Sequence, residues 1–163
     1  MRTKSSETGR SMVEMLGVIA IIGLITVGAV TSVGFVDNMY RVNAALIEAD
    51  KLAQDIIDTY SWSRTYADVN VNFLCQEKIL TCEGENNTTR HKWGGEIQVE
   101  PADLADAGDN YSFTITYKNV PATACEMLIN SGDNLSELTI ISPESCGGNS
   151  SDVIFQLKDN DDE

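Results

Sequence analysis

The amino-acid sequence predicts an α+β fold in which one long N-terminal helix is followed by an antiparallel β-sheet. Residues 15–36 form an apolar run without a charge, and apolar side chains then recur at steps of three and four over residues 42–60. Segments that alternate between apolar and polar residues come only after that helix, as expected for half-buried strands. The 163-residue chain is long enough for one domain with its own core and a separate N-terminal segment.

The apolar run has the length of a membrane span. It contains twelve Leu, Ile, Val or Phe side chains, and as a helix it would extend about 33 Å, against roughly 30 Å for the hydrocarbon core of a bilayer. Arg2 and Lys4 precede the run and Asp37 follows it, which orients the N-terminus toward the cytoplasm and the rest of the chain outside. Three other interpretations stay open: a secretory signal cut near Ala29, a plain signal anchor, and a buried helix of a soluble protein.

The remaining elements make up a globular head over residues 37–163. The apolar stripe predicts that the helix continues to Tyr60, and residues 65–95 lack periodicity and are interpreted as a connecting loop. Strands are predicted at 95–100, 111–118, 136–142 and 153–158, with a short helix at 122–130 and a solvated acidic tail at 159–163.

Charge and motif content exclude several classes of function. Eleven Lys and Arg stand against 25 Asp and Glu, a net charge of −14, which would repel nucleic acid and anionic lipid head groups. His91 is the only histidine and is interpreted as a loop residue, so neither a catalytic triad nor a multi-histidine metal site has support. No phosphate-binding loop or zinc-protease motif is present, and we expect neither an enzyme nor a cofactor.

The segment around Gly9, TGRSMVEMLGVIAIIGLITVGAV, resembles the class III signal of type IV pilins and the related pseudopilins. The resemblance implies a leader over residues 1–9, cleavage by a prepilin peptidase after Gly9, Arg10 as the first mature residue, and Glu14 as the fifth. It implies a helix whose first part, residues 10–36, forms the membrane span and later the filament core. Arg10 stands where the family usually has Phe, Met or Leu, and the sequence leaves open whether Arg10 is N-methylated.

Glu14 is the one ionisable residue between Ser11 and Val36. A carboxylate at mid-membrane costs roughly 2.5–3.5 kcal/mol, so a retained one implies a partner. The resemblance implies that this partner is the α-amino group that cleavage creates on a neighbouring subunit. Small residues at Gly28, Thr31, Ser32 and Gly34 further predict local unwinding of the helix in an assembled filament.

The four cysteines, Cys75, Cys82, Cys125 and Cys146, predict disulfides if the head lies outside the cytoplasm. The residues alone leave three connectivities open, and a zinc site is disfavoured because no CxxC spacing is present. The pilin resemblance and proximity along the chain favour Cys75 with Cys82 and Cys125 with Cys146, the second pair bounding a segment near the C-terminus.

Three functions are consistent with these features. The first is a type IV pilus subunit, type IVb-like, stored in the bacterial inner membrane and then part of an extracellular filament. Its implied partners are other copies of the chain, the prepilin peptidase and the inner-membrane assembly machinery. The second is a minor pilin or a pseudopilin of type II secretion, and the third is a membrane-anchored binding domain that never polymerises. The sequence does not indicate whether such a filament serves adhesion, conjugation, motility or DNA uptake.

Overall fold

The computed structural model describes residues 12–63, 65–84, 88–102 and 110–158. The predicted leader with Gly9 and Arg10 and the acidic tail at 159–163 lie outside these residues. The chain divides into two compact units, Met1–Asp37 and Asn38–Glu163.

Helix α1 (Met12–Tyr60) has 49 residues and belongs to both units. In the second unit its buried side chains, Val42, Ala45, Leu46, Ala49, Leu52, Ala53 and Ile56, follow the predicted steps of three and four. Alanines at three of these positions are fully buried, and their small volume lets the helix backbone approach the core closely. The helix is continuous through residues 28–34, so the single chain shows no unwinding there, and the expectation for a filament stays a prediction.

Within the described residues, the sheet has four antiparallel strands in the order β1-β2-β4-β3. The strands are β1 (Ile97–Ala102), β2 (Ser112–Pro121), β3 (Leu138–Ser142) and β4 (Ser150–Leu157). On β2, the longest of the strands, Phe113, Ile115 and Tyr117 are fully buried, which is the alternation expected from the sequence. Ser112, on the opposite parity, is buried as well. The core therefore consists of one face of this sheet, the buried stripe of α1, and buried side chains from the connecting segments, namely Val69, Leu74, Ala124, Cys125, Leu128 and Leu135.

The region between α1 and β1 is more ordered than the predicted connecting loop. It contains helix α2 (Val71–Gln76), whose N-terminus is capped by the Asn70 side chain accepting a hydrogen bond from the Phe73 backbone N–H at 2.9 Å. The interpretation of this part as a plain loop was wrong, because a six-residue helix is too short to show periodicity. Helix α3 (Ala122–Ser131) is followed by one 3₁₀ turn (Gly132–Asn134) that leads toward β3.

His91 also differs from the expectation of an ordinary loop residue. It lies in a loop, but its side chain is only 4% exposed and stacks on the Tyr117 ring of β2. A periodicity argument could not detect this burial, because the neighbours that cover His91 lie far away along the chain.

Candidate functional site

The candidate site is the apolar part of α1 in the N-terminal unit. Residues Met12–Ala29 have a mean hydropathy of 2.2, and none of this window is buried. By length and composition this helix could cross a membrane, although an N-terminal signal sequence has the same properties. Contiguous apolar surface of this extent is unusual on a soluble monomer and marks a surface that contacts lipid or protein.

Four glycines along this helix leave its backbone uncovered by side chains. A Cβ placed on Gly17, Gly23, Gly28 or Gly34 would meet no atom within 4 Å other than the nearby backbone of its own helix. These positions therefore leave room for another helix to approach closely, as small residues do in membrane helix pairs.

Glu14 lies in the first turn of α1, where a negative charge is favourable to the helix dipole. Its side chain is exposed, and no residue in the described ranges forms a hydrogen bond or ion pair with it. Of the three residues in the predicted processing and assembly site, only Glu14 falls inside the described part of the chain.

Two disulfides join the four cysteines of the head. The first, Cys75–Cys82, closes a short loop that begins at the end of α2. The second, Cys125–Cys146, ties α3 to the connection between β3 and β4, with a sequence separation of 21. No free cysteine is present among the described residues.

The head offers no constellation for catalysis in the part that the structure describes. One groove of about 330 Å³ lies between α1 and the region that follows α2, and its walls carry Glu48, Asp55 and Glu83 together with Lys51 and Arg90. Mixed charges of this kind are typical of a solvated surface. Within the described ranges, no group of three His, Cys, Asp or Glu side chains could hold a metal ion.

An apolar N-terminal helix, an antiparallel sheet and two disulfides make this an α+β protein, the architecture that the resemblance to pilins implies. A family model described as PilS N terminal matches residues 40–158, which is more than half of the chain. The chain therefore belongs to this family of type IV pilins. The matched range begins after Glu14, so the match itself carries no information on the leader or on Glu14.

Comparison with solved structures agrees with this membership. The crystal structure of type IV b pilin from Salmonella typhi is similar to the chain with a TM-score of 0.52 at 16% sequence identity. The alignment covers 72% of this chain and 99% of that chain, and at this identity it shows a shared fold. A search of curated proteins finds no significant match.

Proposed function

We propose that the chain is a structural subunit of a type IV pilus. In this proposal residues 1–9 form a leader, residues 10–36 hold the precursor in the bacterial inner membrane, and residues 37–163 form the head outside the cytoplasm. A prepilin peptidase cuts after Gly9, and the inner-membrane assembly machinery then polymerises the subunits through their N-terminal helices into an extracellular filament. The observation that carries the proposal is the apolar helix at Met12–Ala29, none of which is buried, in a chain of the pilin family.

The apolar helix needs an environment that removes it from water. Burying one Val, Leu or Ile side chain is worth roughly 1.5–3 kcal/mol, and ten large apolar side chains from Met12 to Ile25 are more than half exposed. A bilayer and a bundle of identical helices both satisfy this requirement. A subunit that moves from the first environment to the second keeps the apolar surface buried in both states.

Glu14 supplies the polar contact that distinguishes the filament from the bilayer in this proposal. Cleavage after Gly9 would place a new α-amino group at Arg10, and this cation on one subunit would pair with the Glu14 carboxylate of the next. In an apolar surrounding, removal of one member of such a pair costs about 3–5 kcal/mol because the other charge stays buried and unpaired. The pair would then set the register between subunits.

The first experiment is to determine the N-terminal sequence and the intact mass of the protein recovered from cells. A start at Arg10 supports processing of the prepilin type, and an added methyl group would extend it to N-methylation. A start at Met1 would leave a plain membrane anchor, and a start near Val30 would mean a secreted soluble domain and would end the filament proposal.

The second experiment separates processing from assembly. Glu14→Ala should leave leader cleavage and membrane localisation unchanged while the yield of sheared filaments falls at least tenfold, because 1.4 kcal/mol per interface already corresponds to a factor of ten. Glu14→Asp is the matched control, since it keeps the carboxylate at the same position, and it should retain far more filament than Glu14→Ala. Wild-type filament yield from Glu14→Ala would contradict the assigned role.

The stoichiometry of sheared filaments then distinguishes the kinds of subunit. A major pilin would account for most of the filament mass, whereas a minor pilin or a pseudopilin would be a small fraction of it. Processed protein that stays in the membrane and never enters a filament would identify a non-polymerising anchored domain instead.

A further inference from the structure

The loop formed by residues 88–96, here called the 88–96 loop, contains the buried imidazole of His91. The imidazole and the Tyr117 ring of β2 are nearly parallel, with centroids 5.1 Å apart and an interplanar angle of 12°. Trp93 also contacts the histidine ring, in an edge-to-face arrangement with a centroid distance of 5.7 Å. His91 thus contacts two aromatic side chains and is almost removed from water.

Both ring nitrogens of His91 face backbone groups. Nε2 lies 2.6 Å from the carbonyl oxygen of Lys118, which can only accept, so Nε2 carries a hydrogen and donates it. Nδ1 lies 3.3 Å from the backbone nitrogen of Trp93, which can only donate, so Nδ1 must be without a hydrogen. These two partners select one neutral tautomer, and a proton added at Nδ1 would face an N–H group and break that hydrogen bond.

The charged groups around His91 do not compensate for a buried imidazolium. Burial lowers the pKa of His91, while its bond to the Lys118 carbonyl and the Glu48 carboxylate of α1 raise it to a smaller extent. Glu48 is itself paired with the ammonium of Lys92 at 3.0 Å. On the sheet side, the Lys118 ammonium is paired with Asp152 of β4, also at 3.0 Å.

The position of the 88–96 loop depends on these contacts. Arg41 of α1 donates to the Lys92 carbonyl oxygen at 3.0 Å, and with the Glu48–Lys92 pair this fastens the loop to the helix. His91 fastens the same loop to β2. Gly95 permits the close approach, since a Cβ there would collide with the Lys118 carbonyl oxygen and with the imidazole.

We propose that His91 is a pH-sensitive latch, which holds the 88–96 loop on β2 and α1 when neutral and releases the loop when protonated. Because protonation is favoured in the released state, the latch is fully closed above the pKa of an exposed histidine, about 6.5, and loses stability as the pH falls below it. The inference concerns the head alone and holds whether or not the chain polymerises.

The test uses the full-length chain in detergent micelles, purified without a histidine tag. Because His91 is the only histidine, ¹³C-labelled histidine gives one NMR signal whose titration can be compared with that of the urea-unfolded chain. Hydrogen exchange of the 88–96 amides, corrected for intrinsic rates, is measured from pH 8 to pH 5. We expect the folded midpoint to lie below the unfolded one, and loop opening to increase by up to about tenfold per pH unit between the two. The amides of β2 should change far less.

Two variants make the test decisive. His91→Gln keeps a donor and an acceptor without titrating, so the loop amides should lose their pH dependence. Glu48→Gln removes the nearby negative charge and also the ion pair with Lys92 that fastens the loop to α1. Loop opening should therefore increase at every pH, while the histidine midpoint and the loop-opening midpoint move to lower pH by the same amount. Loop protection that does not change while His91 titrates would overturn the proposal, as would a histidine midpoint at or above the unfolded value. If His91→Gln does not fold, Glu48→Gln still tests the proposal: a shift of the histidine midpoint without an equal shift of the loop-opening midpoint, or the reverse, would contradict it.

Discussion

Asp50 joins α1 to a segment that lies far away along the chain, and replacing it tests how the head is held together. Its Oδ1 atom accepts hydrogen bonds from the backbone N–H groups of Ser136 and Glu137, both at 3.1 Å. These two residues lead directly into β3, so one carboxylate fixes the approach to that strand against the helix. Asp50→Ala removes the acceptor, whereas Asp50→Asn keeps an oxygen acceptor and removes the charge.

The expected loss of stability follows from the two hydrogen bonds that Asp50 accepts. A hydrogen bond to a charged group contributes about 1.5–3 kcal/mol to stability, and the lower part of this range applies where water can replace the partner. The bond from Ser136 is exposed and the bond from Glu137 is partly buried. We therefore expect Asp50→Ala to lower the free energy of unfolding by about 2–3 kcal/mol and Asp50→Asn by about 1 kcal/mol.

Urea unfolding of the full-length chain in micelles, followed by circular dichroism and tryptophan fluorescence, measures these differences. Asp55→Ala is the matched control: it is the same substitution on the same helix, and the Asp55 carboxylate accepts no hydrogen bond from the described residues. The control should stay within about 0.5 kcal/mol of wild type. Equal stability of Asp50→Ala and Asp55→Ala would refute the reasoning.

Three further predictions use the same unfolding assay. The Tyr117 hydroxyl is fully buried without a hydrogen-bond partner in the described part of the chain, so Tyr117→Phe should be neutral or stabilise by up to about 1 kcal/mol, and a loss above 1 kcal/mol would reveal a hidden partner. Gly95→Ala should lower the free energy of unfolding by about 1–3 kcal/mol, because the added Cβ would collide with Lys118 and His91. Gly147→Ala is the control and should change the free energy of unfolding little, because its Cβ would point into open space. Replacing both cysteines of the second disulfide with serine should lower the free energy of unfolding by about 3 kcal/mol, from the loop that it closes, and an unchanged midpoint would mean that the bond does not constrain the unfolded chain.

The order and type of the long elements could be predicted because each repeats a local pattern. The stripe from Val42 to Ile56 and the alternation from Phe113 to Tyr117 are visible in the sequence, and both are buried as expected. Helix α2 was missed because six residues do not complete two turns. Tyr111, the first residue of the predicted strand at 111–118, precedes the first residue of β2 and is 49% exposed.

The predicted assembly residues were found in a different way. Gly9, Arg10 and Glu14 were singled out by their resemblance to a known signal and not by periodicity, and their function stays a proposal. The sequence also predicts which surface would contact lipid or other subunits, because a helix that is apolar on all sides requires an apolar surrounding. It could not show the partner of Glu14, which the proposal places on another subunit.

By itself the sequence determined the long helix, its apolar first part, the acidic head and the even number of cysteines. These features depend only on composition and on spacings of a few residues, and both can be read from the sequence without knowing the fold. Only the tertiary structure placed Asp50 beside Ser136 and brought His91 against the Tyr117 ring. It also joined Cys125 to Cys146, a pairing that the residues alone left open and the pilin resemblance favoured. The two cysteines are 21 positions apart in the sequence, Asp50 and Ser136 are 86 apart, and His91 and Tyr117 are 26 apart. Contacts over such separations form only when the strands pair and the helix packs on the sheet.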